Sequence, residues 1–352
     1  MRKRIERWME ERFDLSGIRH LTREKMVPQH KYTSFYYFGG LALFFFVVQV
    51  TTGILLMLYY RPTAGNAYES VRIIMSQVQF GWLIRSIHVW STNLMMLAVL
   101  VHTFAKYFLK AYRKPRELTW ISGVVLLGLA LGFGFTGHPL PWNEFAYFAA
   151  KVGTASIGSV PVIGEWLLSV IRGGETVTGD TIARFFTLHV VVLPIVTMGI
   201  LALHLLFVQV QGPSKPINVK QTGEIPFFPN FMLRDLRVWL GALIILVGLA
   251  TFFPAELGQK AALFSSAPAG LKPEWYFLPM YQILKWMPSS LLGVSGELVG
   301  IGLISAGGLL ILLVPFLDRK ASREENSIWF TVIGVFVFFI FMVAIALYAK
   351  VF

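Results

Sequence analysis

The chain has 352 residues, 55% hydrophobic and only 14% charged, with a mean hydropathy of +0.63, too apolar for an ordinary soluble protein of this length. Cysteine is absent, which excludes disulfides, cysteine-bound iron–sulfur clusters and thioether-linked haem. The net charge of +12 would suit nucleic acid if it formed one patch, but the basic residues sort by loop parity instead, and no nucleic-acid role follows.

Residues Met1 to Leu15 are charged throughout and lack the apolar stretch of a secretory signal. Ile5, Trp8, Met9 and Phe13 share one face, ringed by Arg2, Lys3, Arg4, Arg7 and Arg12, which predicts a helix lying in the membrane interface. Seven apolar spans follow: A (34–60), B (80–108), C (118–138), D (183–209), E (236–256), F (297–316) and G (327–350). The N-terminus and the B–C, D–E and F–G connections fall on one side and, with Lys106 and Arg237 at the adjoining span ends, hold 21 of the 31 Lys and Arg residues. The positive-inside rule puts that side in the cytoplasm or its equivalent. The C–D (139–182) and E–F (257–296) connections are long and lie on the outer side, where length of this kind usually serves function. Pro161 to Ile171 and Pro273 to Trp286 read as short helices on the membrane surface.

Span B carries His88 and His102, and span D carries His189 and His204. Strides of 14 and 15 residues place each pair near one helix face, about 21 Å apart along the axis, within a hydrocarbon core about 30 Å thick. B and D run in the same direction, so His88 pairs with His189 near the outer side and His102 with His204 near the inner. Four ionisable residues at matched depths need partners or a task. Two bis-imidazole sites, one above the other, suit a pair of haems with both axial positions filled, an arrangement for electron transfer rather than oxygen chemistry. A proton relay through buried histidines is the alternative; zinc fits poorly, because its ligands cluster tetrahedrally.

Glycines repeat the same stride: Gly39 and Gly53 in span A, Gly123 and Gly137 in span C. Residues without Cβ allow a flat macrocycle to approach closely, although small residues also serve plain helix packing. Arg85 and Arg184 each precede an outer histidine and are candidates for the haem carboxylates, with snorkelling to the interface as the alternative. The spans divide into a histidine-bearing block (1–211), a polar, turn-rich linker (212–225) and a block without histidine (226–352).

Several motifs resemble cytochrome b of the quinol-oxidising bc and bf complexes: Phe80-Gly81-Trp82-Leu83-Ile84-Arg85, Pro115-Arg116-Glu117-Leu118-Thr119-Trp120, Leu140-Pro141-Trp142, Arg184-Phe185-Phe186 and Pro273-Glu274-Trp275-Tyr276. The 15-residue step in span D and the seven spans look closer to the bf type, with cytochrome b and subunit IV fused. The resemblance implies an all-α polytopic membrane protein, a four-helix dihaem bundle plus a three-helix C-terminal block. It implies two non-covalent b haems and quinol oxidation at an outer site, with one electron to a Rieske iron–sulfur protein and then a c-type cytochrome. The other electron reaches quinone at an inner site, and protons are translocated. Glu274 would act at the outer site as proton acceptor, and Tyr276 as a hydrogen-bonding neighbour or an interfacial anchor. A homodimeric complex in a prokaryotic cytoplasmic membrane, or a thylakoid or inner membrane, is expected. The chain departs from the bf pattern at Tyr37, where a cysteine would carry an extra haem, so no covalently attached haem is expected. Ala105, with Lys106 beside it, and Gln209 replace basic residues usual near the inner site. A dihaem dehydrogenase anchor and a haem-free transporter are the competing classes; the Glu274 loop argues against the first.

Overall fold

The computed structural model describes residues 25–217, 219–262, 267–268, 270–322, 325 and 327–349, so the expected interfacial helix at 1–15 lies outside it. Among the described residues seven helices are long and apolar enough to cross a membrane. Strand β1 (Met26–Gln29) precedes α1 (Tyr37–Met57), α2 (Ala67–Ser76), α3 (Gly81–Phe108) and α4 (Glu117–Gly137). Helices α5 (Glu144–Gly158) and α6 (Gly164–Arg172) then lead into α7 (Gly179–Gln211). Strand β2 (Gly223–Pro226) is followed by α8 (Met232–Phe252), α9 (Leu278–Trp286), α10 (Gly296–Leu317) and α11 (Ile328–Ala349).

The spans α1, α3, α4, α7, α8, α10 and α11 match the seven apolar segments within a few residues, except that D and E begin earlier than hydropathy indicates. Helix α7 starts at Gly179 because Thr178 caps it: its hydroxyl accepts from the Asp180 amide, and Thr181 Oγ1 accepts from the Thr178 amide. Between α2 and α3 the chain turns so tightly that a Cβ at Gly81 would sit 2.0 Å from the Ile74 carbonyl oxygen. Apolar side chains such as Ile195, Ile244 and Phe339 stay exposed along the spans, as a lipid-facing surface requires.

Alternate connections meet on opposite faces. On the N-terminal face, β1 pairs antiparallel with β2, Arg116 donates to the Gln211 carbonyl, and the Tyr112 hydroxyl donates to Asp318. The stretch expected to be linker thus ends in a strand anchored to the residues before α1. On the other face Tyr60 donates to the Leu140 carbonyl, Asn143 to the Leu257 carbonyl and Tyr68 to the Gly258 carbonyl. The two blocks share a core in which Phe45, Met95, Met96 and Ala130 pack with Leu246 and Tyr276.

Candidate functional site

Helix α3 presents His88 and His102, and α7 presents His189 and His204. The His88 and His189 rings face each other with centroids 6.4 Å apart and planes at 67°. His88 and His189 would be the residues that hold a haem iron between their rings, where it would supply one-electron transfer. The unequal strides are reconciled by the backbone. Leu188–Val192 forms a wide helical turn in which the Leu193 amide reaches the Leu188 carbonyl, five residues back. That turn absorbs one residue, so 15 residues in α7 cover the same rotation as 14 in α3. Pro194, next to it, has no amide to give and crowds the preceding carbonyls, which favours the wider turn there.

Three of the four histidines have Nδ1 fixed by a hydroxyl: His88 by Thr52 at 2.9 Å, His189 by Thr136 at 3.1 Å and His204 by Ser122 at 2.9 Å. Each hydroxyl also contacts the carbonyl four residues back, Val48, Gly132 and Leu118 respectively. Its single proton is spent on that carbonyl, so its oxygen accepts from Nδ1–H. The imidazole is thereby held with Nε2 unprotonated and free to bind a metal. Sequence reasoning missed these residues, although the signal is simple: each immediately precedes one of the strided glycines. The fourth doublet is Phe38-Gly39, which has no hydroxyl, and His102 Nδ1 is buried without a hydrogen-bond partner.

All four strided glycines abut histidine rings. A Cβ would lie 2.6 Å from His189 Cε1 at Gly137, 2.9 Å from His102 Cε1 at Gly39, 3.2 Å from His204 Cε1 at Gly123 and 3.4 Å from His88 Cε1 at Gly53. Their role is to admit the ligand rings themselves, which is more specific than the macrocycle clearance expected. Among the described residues no three His, Asp or Glu side chains cluster as a zinc-type centre would. The facing rings, fixed tautomers and ring-clearing glycines fit a bis-histidine haem.

On the face opposite the N-terminal one, the Glu274 loop docks against the end of α4. Tyr276 is buried, its hydroxyl so close to Gly134 that a Cβ there would lie 2.6 Å away. Burial, with the Glu274 charge nearby, pushes its phenol well above the usual range. Trp275 Nε1 donates to Asn93 Oδ1 of α3 at 2.8 Å. Glu274 Oε1 lies 3.1 Å from His138 Nδ1, a residue that sequence reasoning did not single out.

Both arginines reach backbone carbonyls. Arg85 is buried and donates to the Ala255 and Glu256 carbonyls at 2.6 and 3.0 Å, bracing the E–F connection against α3. Arg184 donates to the Val170 carbonyl at the end of α6. These bonds hold surface segments, and a haem carboxylate would have to share or replace them. At the inner level Lys106 lies over the Tyr36 ring, 4.5 Å from its centre, and Tyr37 stacks on Phe231. Asp235 of α8 presses against Gly40, and its Oδ1 is buried without a partner.

A family model described as Cytochrome b/b6/petB matches residues 22–212, and one described as Cytochrome b(C-terminal)/b6/petD matches residues 262–351. A cytochrome bc complex cytochrome b subunit from Chlorobaculum thiosulfatiphilum is 48% identical over 94% of this chain and 77% of its own length. Cytochrome b6 from Synechococcus sp. (strain JA-3-3Ab) is 42% identical over 60% of this chain and 97% of its own length. A chain of a solved structure, "Hyperthermophilic respiratory Complex III", superposes with a TM-score of 0.84 at 29% identity, covering 97% of this chain and 90% of that one. Matched along both blocks, the chain belongs to the cytochrome b/b6 family and is a cytochrome b subunit of a bc/b6f-type quinol oxidoreductase, a polytopic haem protein of electron transport.

Proposed function

We propose that this subunit holds two non-covalent b haems, the outer between His88 and His189 and the inner between His102 and His204. The observation that carries this is the 6.4 Å separation of the His88 and His189 rings, with both Nδ1 atoms fixed by Thr52 and Thr136. When bound, the two groups supply one-electron transfer across the membrane. The protein's part is to fix the imidazoles, clear space at Gly39, Gly53, Gly123 and Gly137, and exclude water. Arg85 and Arg184 remain candidates for haem carboxylates, in competition with the carbonyls they bind. With tyrosine at position 37, no covalently attached haem is part of this reading.

Quinol is oxidised at an outer pocket beside Glu274 and Tyr276, where the carboxylate is positioned to accept a proton. One electron leaves to a Rieske iron–sulfur protein and onward to a c-type cytochrome, the other to quinone near the inner face. Asp235, whose Oδ1 is buried without a partner beside Gly40, is the carboxyl assigned to supply a proton at that level. Moving one charge against 100 mV costs about 2.3 kcal/mol, which the outward electron must offset. The N-terminus faces the cytoplasm, protons leave on the far side, and the complex is a homodimer embedded in lipid. Residues 1–211 form the dihaem block, 212–225 the connection and 226–352 the subunit IV-like block.

A reduced-minus-oxidised spectrum of the purified complex, followed by a redox titration, tests the haem content. Two b-type components are expected, and His88→Ala or His189→Ala should remove one while leaving the other. A single component in the parent protein overturns the dihaem reading.

A further inference from the structure

We propose that His138 and Glu274 form a proton-exit pair, in which the imidazole takes from Glu274 the proton received from quinol and releases it to the outer water. The inference rests on the quinol pocket proposed above and extends it to a residue on a different element. His138 Nδ1 and Glu274 Oε1 are 3.1 Å apart, within transfer distance. Their side chains are 29% and 37% exposed, open enough to pass a proton to water.

The placement is more than a surface contact. His138 caps the C-terminal end of α4 one turn after Gly134, and its amide donates to the Gly134 carbonyl. Tyr276 packs on Gly134, and Glu274, two residues earlier, meets His138. One face of α4 thus receives both loop residues, the buried phenol inside and the carboxylate–imidazole pair at the mouth. Exposed ion pairs contribute little to stability, so tethering the loop is a weak reason for the pair, and Trp275 with Asn93 already performs that task. An imidazole nitrogen can take a proton from a carboxylic acid and the ring can pass one on to water, which a carboxylate fixed in the pocket mouth does not do alone.

The step is a proton transfer. A quinol O–H bond breaks and a carboxyl O–H forms on Glu274. That proton then passes to neutral His138, and the imidazolium loses a proton to outer water. The electrons leave to the one-electron acceptors of the bc-type reaction.

The test uses the whole complex in detergent, with decylubiquinol and menadiol as reductants. His138→Phe and His138→Gln are expected to slow quinol oxidation at least tenfold, largely in kcat, with both haem bands intact. His138→Ala is expected to regain rate on addition of imidazole, and the solvent deuterium isotope effect to rise in all three variants. His138→Gln keeps a hydrogen bond to Glu274 but carries no proton. Parental rate in that variant, or slowing in His138→Ala that imidazole does not relieve, overturns the pair. If the parent complex oxidises neither quinol, the outer-pocket reading itself fails, a result distinct from either.

Discussion

The hydroxyl of Thr136 lies 3.1 Å from His189 Nδ1, and the next residue, Gly137, is the one at which a Cβ would strike the same ring. One doublet on α4 therefore does two things to one histidine of α7: it orients the imidazole and leaves it room. Thr52-Gly53 does the same for His88, and Ser122-Gly123 for His204.

Thr136→Val removes the acceptor but keeps the shape. Loss of a hydrogen bond behind a metal-bound histidine costs about 10- to 100-fold in affinity or activity. The outer haem is expected to be bound more weakly, with a shifted midpoint, and the inner component unchanged. Haem-to-protein ratio and redox titration check this.

Gly137→Ala puts a methyl group 2.6 Å from His189 Cε1, whereas nothing lies within 4 Å of a Cβ at Gly128 on the same helix. Overpacking of this kind costs about 1–3 kcal/mol. Gly137→Ala is expected to lose the outer haem, and Gly128→Ala to retain both with unchanged spectra.

His102 is the exception among the ligands, with Nδ1 unpaired beside Phe38-Gly39. Phe38→Ser restores the doublet and gives that nitrogen an acceptor. A hydrogen bond there raises the basicity of the ligand and favours ferric iron. The inner-haem midpoint is expected to fall, with the outer unchanged, as measured by potentiometric titration.

Glu274→Gln keeps the side-chain shape and removes the base. Quinol oxidation is expected to slow by about 100-fold, the lower end of what a positioned general base contributes. Both haem bands should persist. Stopped-flow reduction of the haems by added quinol gives the rate, and an unchanged rate removes Glu274 from the reaction.

His30 ties the N-terminal strand to the chain: its Nδ1 accepts from the Tyr32 amide, and its ring nitrogen Nε2 donates to the Tyr36 hydroxyl, which donates to the Ser214 carbonyl. Burial first, and then the Lys106 charge, hold its pKa below the usual 6.5. The unfolded state therefore binds the proton more readily, and stability present above pH 6.5 is lost as pH falls below it. Hydrogen exchange in residues 26–29 and 223–226 is expected to accelerate in that window, and not in His30→Gln.

Helix number and approximate span limits were legible because they depend on hydropathy along single helices. The hydroxyl–glycine doublets were present in the sequence too, but their purpose was hidden, since Thr136 and His189 are 53 residues apart. His138 gave no sign of its partner: the last residue of span C drew no reading of its own, and only the fold brings Glu274, from the second block, beside it. Arg85 carries a contact that its position alone did not suggest: its guanidinium donates to the Ala255 and Glu256 carbonyls of the second block.

By itself the amino-acid order determined a seven-span membrane protein with two tiers of imidazoles, because lipid imposes long apolar helices and makes every buried charge conspicuous. Only tertiary structure decided which nitrogen is free in His88, His189 and His204, how a 15-residue step keeps the register of a 14-residue one, and what Glu274 faces. Those outcomes depend on contacts a few ångströms long between distant segments, where one wide turn at Leu188–Val192 or one missing hydroxyl at Phe38 changes the geometry without altering the pattern of hydropathy.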